Sequence, residues 1–210
     1  QQPLLVTGYL KHIQNAAKCK IQRSSVIHHK YHCNKSKGCA ASDSACISRL
    51  LRYNREKNRR RNTPMIALAC DHGALDLKNA IMRHLEQRGL AYKDFGCYTK
   101  DSCDYPDFAG PAAQAVASGE CDRGIVCCTT GIGVSITANK VKGIRCALLD
   151  NPMSARLTRE HNDTNMMALG AAVTGEMLAL EIVDVWLDTA FSGVERHQRR
   201  IDKMMAYEHD

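Results

Sequence analysis

From residue 65 onward, short apolar runs alternate with segments that carry apolar residues at helical spacing. The run Met65–Cys70 has no charged residue and has the length of a strand, which is typical of a parallel sheet covered on both faces. The segment after it carries a helical stripe and closes at Gly89, a residue type that often follows a helix. The same alternation predicts five strands, over 65–70, 91–95, 124–128, 145–149 and 166–169. It also predicts helices over 75–85, 109–117, 154–161 and 176–187, and one more that carries Ile136 and Ala138.

Alternating strands and helices predict right-handed βαβ units, because parallel strands need a crossover connection. The expected fold class is therefore α/β, a three-layer Rossmann-like fold with a five-stranded parallel sheet. In such sheets ligands bind at the carboxyl ends of the strands. Candidate chemistry is expected directly after each strand.

Charge divides the chain near the point where this pattern begins. Residues 1–64 carry 14 Lys and Arg against Asp43 and Glu56, a net charge of +12, whereas residues 65–210 carry 15 against 20 acidic residues, a net charge of −5. All eight methionines lie at or after Met65, which suggests a natural start there. We expect residues 1–64 to be a disordered basic leader or foreign to the domain, and residues 65–210 to be the folded domain.

Composition excludes several classes of protein. No apolar run approaches the roughly 20 residues of a membrane span, and aromatic residues make up only 5% of the chain, too few for a base-stacking platform. The leader's cysteines lack the closely spaced pairs of zinc sites. Its charge favours only non-specific contact with nucleic acid or other polyanions. The seven cysteines after residue 64 have no disulfide-framework spacing, which indicates reduced thiols and a cytoplasmic protein.

A glycine-containing turn, Thr129–Gly133, links the third strand to the next helix. Backbone N–H groups converge at such a turn and could hold a phosphate or stabilise an oxyanion. Cys128 stands at the tip of the strand, where the helix N-terminus favours the thiolate and makes the sulfur a candidate base or nucleophile. A plain tight turn and a buried cysteine that serves only packing are the alternatives.

Three further polar groups could belong to a site. Asp71-His72 follows the first strand, although the aspartate could simply cap a helix. His161-Asn162 precedes the fifth strand, where the histidine could merely end a helix. Arg196 and Arg200 stand at i, i+4 spacing and could grip a phosphate dianion with two guanidinium groups, or form a solvated basic face.

Taken together, residues 65–207 resemble the type B ribose-5-phosphate isomerases and their relatives that act on other sugar phosphates. The matching motifs, in chain order, are Cys-Asp-His-Gly at 70–73, Asp-Tyr-Pro at 104–106, Cys-x-Thr-Gly-Ile-Gly at 128–133, Ala-Asn-Lys at 138–140, Gly-Ile-Arg at 143–145, His-Asn-Asp-Thr-Asn at 161–165 and Arg-His-Gln-Arg-Arg at 196–200. None of the leader takes part.

The resemblance implies an aldose–ketose isomerase that uses neither metal nor cofactor. It implies that His161 helps to open the sugar ring and that Cys128 moves a proton from C2 to C1 through a cis-enediolate. Thr130 and the turn would stabilise the enediolate. The substrate-binding residues would be Asp71, His72, Tyr105, Thr129, Gly131, Ile132, Gly133, Asn162, Arg196 and Arg200. Family members are dimers or tetramers with sites across the subunit interface, and the same is expected here.

The sequence departs from the family pattern at three places. Thr129 stands where the family usually has glycine, and its branched side chain is expected to crowd the anion-binding turn. Ala172 replaces an expected arginine, and the segment 193–196 has one extra residue. These changes leave a six-carbon substrate, allose or galactose 6-phosphate, as an alternative to ribose 5-phosphate.

Two alternatives come from other classes of protein. A nucleotide- or nucleic-acid-binding module would account for the glycine turn and the basic leader, but the domain is acidic and lacks the acidic ribose-binding residue of dinucleotide sites. An inactive structural homologue is the other, and the complete set of candidate catalytic residues speaks against it.

Overall fold

The computed structural model describes residues 64–208, which form one parallel sheet flanked by helices. The strands are β1 (Met65–Cys70), β2 (Ala91–Asp94), β3 (Arg123–Cys128), β4 (Cys146–Leu148) and β5 (Met166–Gly170). They lie in the order β2-β1-β3-β5-β4, and every neighbouring pair is parallel. The helices are α1 (Leu75–Gln87), α2 (Pro106–Ala117), α3 (Ile132–Ala138), α4 (Pro152–Asn162), α5 (Glu176–Asp188) and α6 (Glu195–Ala206).

The two faces of the sheet are covered by different kinds of side chain. On one face, leucines, isoleucines and Trp186 from α1 and α5 pack against the large residues of β1, β3 and β5. On the other face, α2 and α3 contribute mainly alanine and valine. Small side chains let these two helices approach the sheet closely, which suits the all-apolar strands of a buried parallel sheet.

The strand order reverses between β1 and β3. The chain passes from β1 to β2 on one side and then returns across β1 to β3, so α1 and α2 cover opposite faces. Diverging helices leave a crevice at the carboxyl ends of the two strands where the order reverses, and ligands bind there in α/β proteins. Asp71 follows β1 and Thr129 follows β3, so the residues of the predicted site open onto this crevice.

The predicted fold class is confirmed, and the elements differ from prediction mainly at their ends. Helix α2 begins at Pro106, three residues before the predicted start, because a proline fits the first turn of a helix. The basic segment after Arg196 is a full helix, α6, anchored by His197 and Ile201, which are both buried one turn apart. The predicted disordered leader lies outside the described residues except for Pro64. Among the described helices, none is both long enough and apolar enough to cross a membrane.

A buried lysine fastens the loop after β2 to the helix after β1. Lys78 of α1 is 1% exposed, and its Nζ donates to both carboxylate oxygens of Asp94, at 2.9 and 2.7 Å, and to the carbonyl of Cys97 at 2.7 Å. The same loop bonds to the last residue of β1, since Cys70 donates to the carbonyl of Gly96 and accepts from the amide of Cys97. The carboxyl end of β1, and with it Asp71, is thereby held in place.

Replacement of this lysine tests its contribution to stability. Lys78→Met should lower the free energy of unfolding by about 3 kcal/mol, because the partly buried carboxylate of Asp94 then loses its cation. Urea denaturation measures the change. Lys93→Met is the matched control: Lys93 pairs with Glu120 at 2.6 Å on the surface, where an ion pair contributes less than about 1 kcal/mol. Equal losses in the two variants would contradict the assignment.

Candidate active site

Asp71 and Cys128 meet at the crevice between β1 and β3. The amide of Asp71 donates to the carbonyl of Cys127 at 3.1 Å, which continues the strand pairing one residue beyond β1. Asp71 is 7% exposed, and its Oδ1 is buried without a hydrogen-bond partner in the described part of the chain. A buried carboxylate oxygen without a partner is costly, so a donor from a ligand or solvent would satisfy it.

The turn after β3 directs a backbone N–H group at sulfur. Gly131 adopts a left-handed conformation, φ 77°, and its N–H donates to Sγ of Cys128 at 3.1 Å. A Cβ on Gly131 would lie 2.4 Å from Leu148 and 2.9 Å from the backbone of Leu169, so this position requires glycine for both its conformation and its space. The sulfur therefore accepts a backbone hydrogen bond at the start of the turn.

Tyr105 and His72 close the site from the side of the loop that precedes α2. The ring of Tyr105 lies over Gly133, where a Cβ would come within 2.6 Å of it. His72 accepts a hydrogen bond on Nδ1 from the amide of Cys103 at 3.2 Å. Because Nδ1 is the acceptor, the neutral ring carries its hydrogen on Nε2, which can then donate to a ligand.

The structure therefore brings together most of the predicted site residues at one edge of the sheet. They are Asp71, His72, Tyr105, Cys128, Thr129, Thr130, Gly131, Ile132 and Gly133. The hydroxyl of Thr130 accepts the amide of Ile132 at 3.3 Å, so it faces the same turn.

The remaining predicted residues form a second group on α4 and α6. The rings of His161 and His197 are in contact, with centroids 4.3 Å apart. Arg196 donates through Nε to Nε2 of His197 at 3.2 Å. Asn162, Arg196 and Arg200 are exposed beside this pair.

The two groups lie at opposite edges of the sheet. Helix α4 ends next to the beginning of β5, where Met166 pairs with Gly124, whereas Cys128 pairs with Gly170 at the end of β5. The five residues of β5 connect the two edges, and at the usual rise of a strand its first and last residues are about 13 Å apart. Within one chain, His161 and Cys128 therefore cannot contact the same small molecule.

Three residues that sequence reasoning left without a role hold the end of α4 in place. Asp163 has a left-handed backbone conformation, φ 44°, and its carboxylate accepts a hydrogen bond from the guanidinium group of Arg159 at 2.7 Å. Arg145 donates to the carbonyls of Asn162 and Asp163, at 2.9 and 2.6 Å. The signals for this clamp are the Gly-Ile-Arg motif at 143–145 and the aspartate of the motif at 161–165, and neither motif predicts a partner.

No group of three or more His, Cys, Asp or Glu residues in the range 64–208 is arranged to hold a metal ion. The acidic and imidazole groups of the site are instead dispersed among hydroxyls and backbone amides.

Comparison with known proteins shows the family to which the chain is related. Residues 66–204 match the model of the Ribose/Galactose Isomerase family. Ribose-5-phosphate isomerase B of Escherichia coli is 47% identical over 143 residues, 68% of this chain and 95% of that protein. A solved structure of Clostridium thermocellum ribose-5-phosphate isomerase B is 51% identical, with a TM-score of 0.67 over 69% of this chain and 97% of that one. A Mycoplasma genitalium ribose-5-phosphate isomerase B structure with bound ribulose-5-phosphate is 40% identical, with a TM-score of 0.67 over 70% and 97%.

The fold and the crevice at its strand reversal define an α/β enzyme of the sugar isomerase class. The chain belongs to the Ribose/Galactose Isomerase family.

The second group should make stability depend on pH. Burial, and then the neighbouring His161 and Arg196, lower the pKa of His197. Below the ordinary pKa of about 6.5 the unfolded chain gains a proton that the folded imidazole resists, so stability present at neutral pH is lost on acidification. Urea denaturation should show a smaller fall from pH 7.5 to 5.5 in His197→Asn than in the wild type. An unchanged fall would contradict this role.

Proposed function

We propose that the protein interconverts ribose 5-phosphate and ribulose 5-phosphate, with Cys128 as the base and no metal or other cofactor. The observation that carries the proposal is the sulfur of Cys128 at the carboxyl end of β3. It accepts a hydrogen bond from the amide of Gly131, and the unpartnered carboxylate oxygen of Asp71 lies at the end of the neighbouring strand. The names of the Escherichia coli and Clostridium thermocellum relatives support this substrate.

In the proposed reaction, the thiolate of Cys128 removes the proton from C2 of the open-chain sugar and returns it to C1. The electron pair of the broken C–H bond forms the C1–C2 double bond, and the π pair of the carbonyl moves to O1, which gives a cis-enediolate. As the proton returns to C1, the hydroxyl proton of O2 passes to O1, so that C2 becomes the carbonyl carbon of the ketose. The Gly131 N–H donates to the sulfur, and the amides of the turn up to Gly133 together with the hydroxyl of Thr130 would stabilise this charge. Preorganised donors of this kind stabilise an oxyanion in the transition state more than the neutral substrate.

The other predicted residues would bind the two ends of the sugar phosphate. Asp71, Tyr105 and Asn162 would hold hydroxyl groups, and His161 would open the furanose ring by proton transfer. Arg196 and Arg200 would bind the phosphate, together with Nε2–H of His72. These assignments extend the hydrogen bond that His72 accepts on Nδ1 and the exposure of both arginines.

Two copies of the chain would complete each site. One chain holds Cys128 and His161 at opposite edges of its sheet, so the histidine that acts with a given sulfur must come from another chain. Apolar side chains exposed beside the turn, Ile132, Leu148 and Val173, border a cavity of about 370 Å³ and offer a surface for the second copy. We infer a homodimer as the smallest active form, and a tetramer would combine two such pairs.

The proposal places the reaction in the cytoplasm. The thiol of Cys128 is free in the structure, and a reduced thiol at this position is needed for catalysis. Turnover is expected to persist in the presence of a chelator.

Loss of the sulfur should abolish the reaction. Cys128→Ala should lower kcat for ribose 5-phosphate about a thousandfold or more, because the base is removed. A coupled assay of ribulose 5-phosphate measures the rate. Cys127→Ala is the matched control: this thiol points to the opposite face of the sheet, into the core beneath α1 and α5, and its loss should change kcat less than about threefold. Normal turnover in Cys128→Ala would refute the proposed base.

A mixed dimer tests whether the site is shared. A Cys128→Ala chain and a His161→Ala chain, carrying different tags, are coexpressed and purified through both tags. Each homodimer should be inactive, but the mixed dimer holds one site with both native residues and should show about half the wild-type activity. An inactive mixed dimer beside inactive homodimers would show that the two residues do not act together across an interface.

A further inference from the structure

We propose that Thr129 limits the substrate to sugar phosphates of about five carbons, because its side chain fills space that a longer chain would need. The inference rests on the proposed isomerase function and concerns the specificity of the same site.

The side chain of Thr129 extends from the turn toward the backbone that follows β1. Its Oγ1 stands only 2.3 Å from the place that a Cβ on Gly73 would occupy, so the hydroxyl covers the bare backbone of Gly73. Oδ1 of Asp71 lies 3.4 Å from the same point. The side chain of Thr129 therefore lies on the side of the crevice that holds Gly73 and Asp71.

The backbone on either side of this threonine is fixed. The carbonyl of Thr129 accepts the amide of Ala172 at 2.9 Å, and the carbonyl of Cys128 accepts the amide of Ala171 at 2.9 Å. A β-branched side chain has few allowed rotamers, so Thr129 has little freedom to move aside for a ligand. Ala172, the residue hydrogen-bonded to Thr129, has only a methyl side chain, so Thr129 is the larger of the two side chains at this point of the crevice.

The position matters because the unpartnered Oδ1 of Asp71 marks where a sugar hydroxyl would bind. A substrate whose reacting carbon is at Cys128 and whose hydroxyl is at Asp71 passes directly beside the threonine. If the hydroxyl stays at Asp71, one additional carbon in the sugar must displace the side chain of Thr129 or shift the reacting carbon away from Cys128. Discrimination by one carbon in a tight pocket is commonly tenfold to about two-hundredfold.

The test compares ribose 5-phosphate with allose 6-phosphate as substrates of the wild type and of Thr129→Gly. The ratio of the two kcat/KM values should shift toward allose 6-phosphate by about tenfold or more in Thr129→Gly. Thr129→Val, which keeps the branched shape and removes the hydroxyl, should keep the wild-type ratio within about threefold. An unchanged ratio in Thr129→Gly, or an equal shift in Thr129→Val, would overturn the inference.

Binding without turnover separates this inference from the proposed reaction. In a Cys128→Ala background, calorimetry gives the Kd of each sugar phosphate with and without Thr129→Gly. The six-carbon compound should gain about tenfold in affinity relative to the five-carbon compound when Thr129 is replaced. Equal Kd values for both compounds in the presence of Thr129 would refute the size limit. Selective binding by Cys128→Ala without turnover by the wild type would refute only the reaction.

Discussion

The active site depends on one hydrogen bond that extends the sheet past its last residue pair. The N–H of Asp71 donates to the carbonyl of Cys127, and this bond sets the separation between the ends of β1 and β3. Since side chains alternate along a strand, fixing Cys127 into the core directs Cys128 to the opposite face. A carboxylate and a thiol are thereby placed side by side at the crevice, with a geometry inherited from the sheet and not from a flexible loop.

Close backbone approach is the second constraint. Gly131 and Gly170 meet where the turn crosses the end of β5, and a Cβ on Gly170 would lie 2.6 Å from the carbonyl oxygen of Thr130. The turn can therefore reach the sulfur with its N–H only because two neighbouring positions lack side chains. The adjacent amides of Ala171 and Ala172 bond back to Cys128 and Thr129, so the turn is attached to two strands. A site held in this way needs little reorganisation when charge develops on a substrate.

The strands, their order of appearance and the residues at their carboxyl ends could be predicted from the sequence because they depend on local pattern. The partners of Lys78 could not, because its position on α1 is ordinary for a polar residue and Asp94 becomes its neighbour only when β1 and β2 pair. The same holds for Arg145, whose acceptors are main-chain carbonyls some 17 residues away. The opposite placement of His161 and Cys128 follows from the parallel pairing of β3 and β5, because Cys128 ends β3 whereas His161 precedes β5, and both positions could be predicted.

Two departures from the family pattern are neighbours in space. Thr129 and Ala172 are joined by a backbone hydrogen bond, so the place that gains a branched side chain adjoins the place that loses an expected cation. Neither change touches the bond between Gly131 and the sulfur, and neither alters the unpartnered oxygen of Asp71. The groups that would move the proton and those that shape the surrounding wall are therefore separable in this fold. Substitutions at the wall can change which sugar phosphate is accepted while the reacting groups keep their positions, because the strands hold those groups and the turn carries the wall.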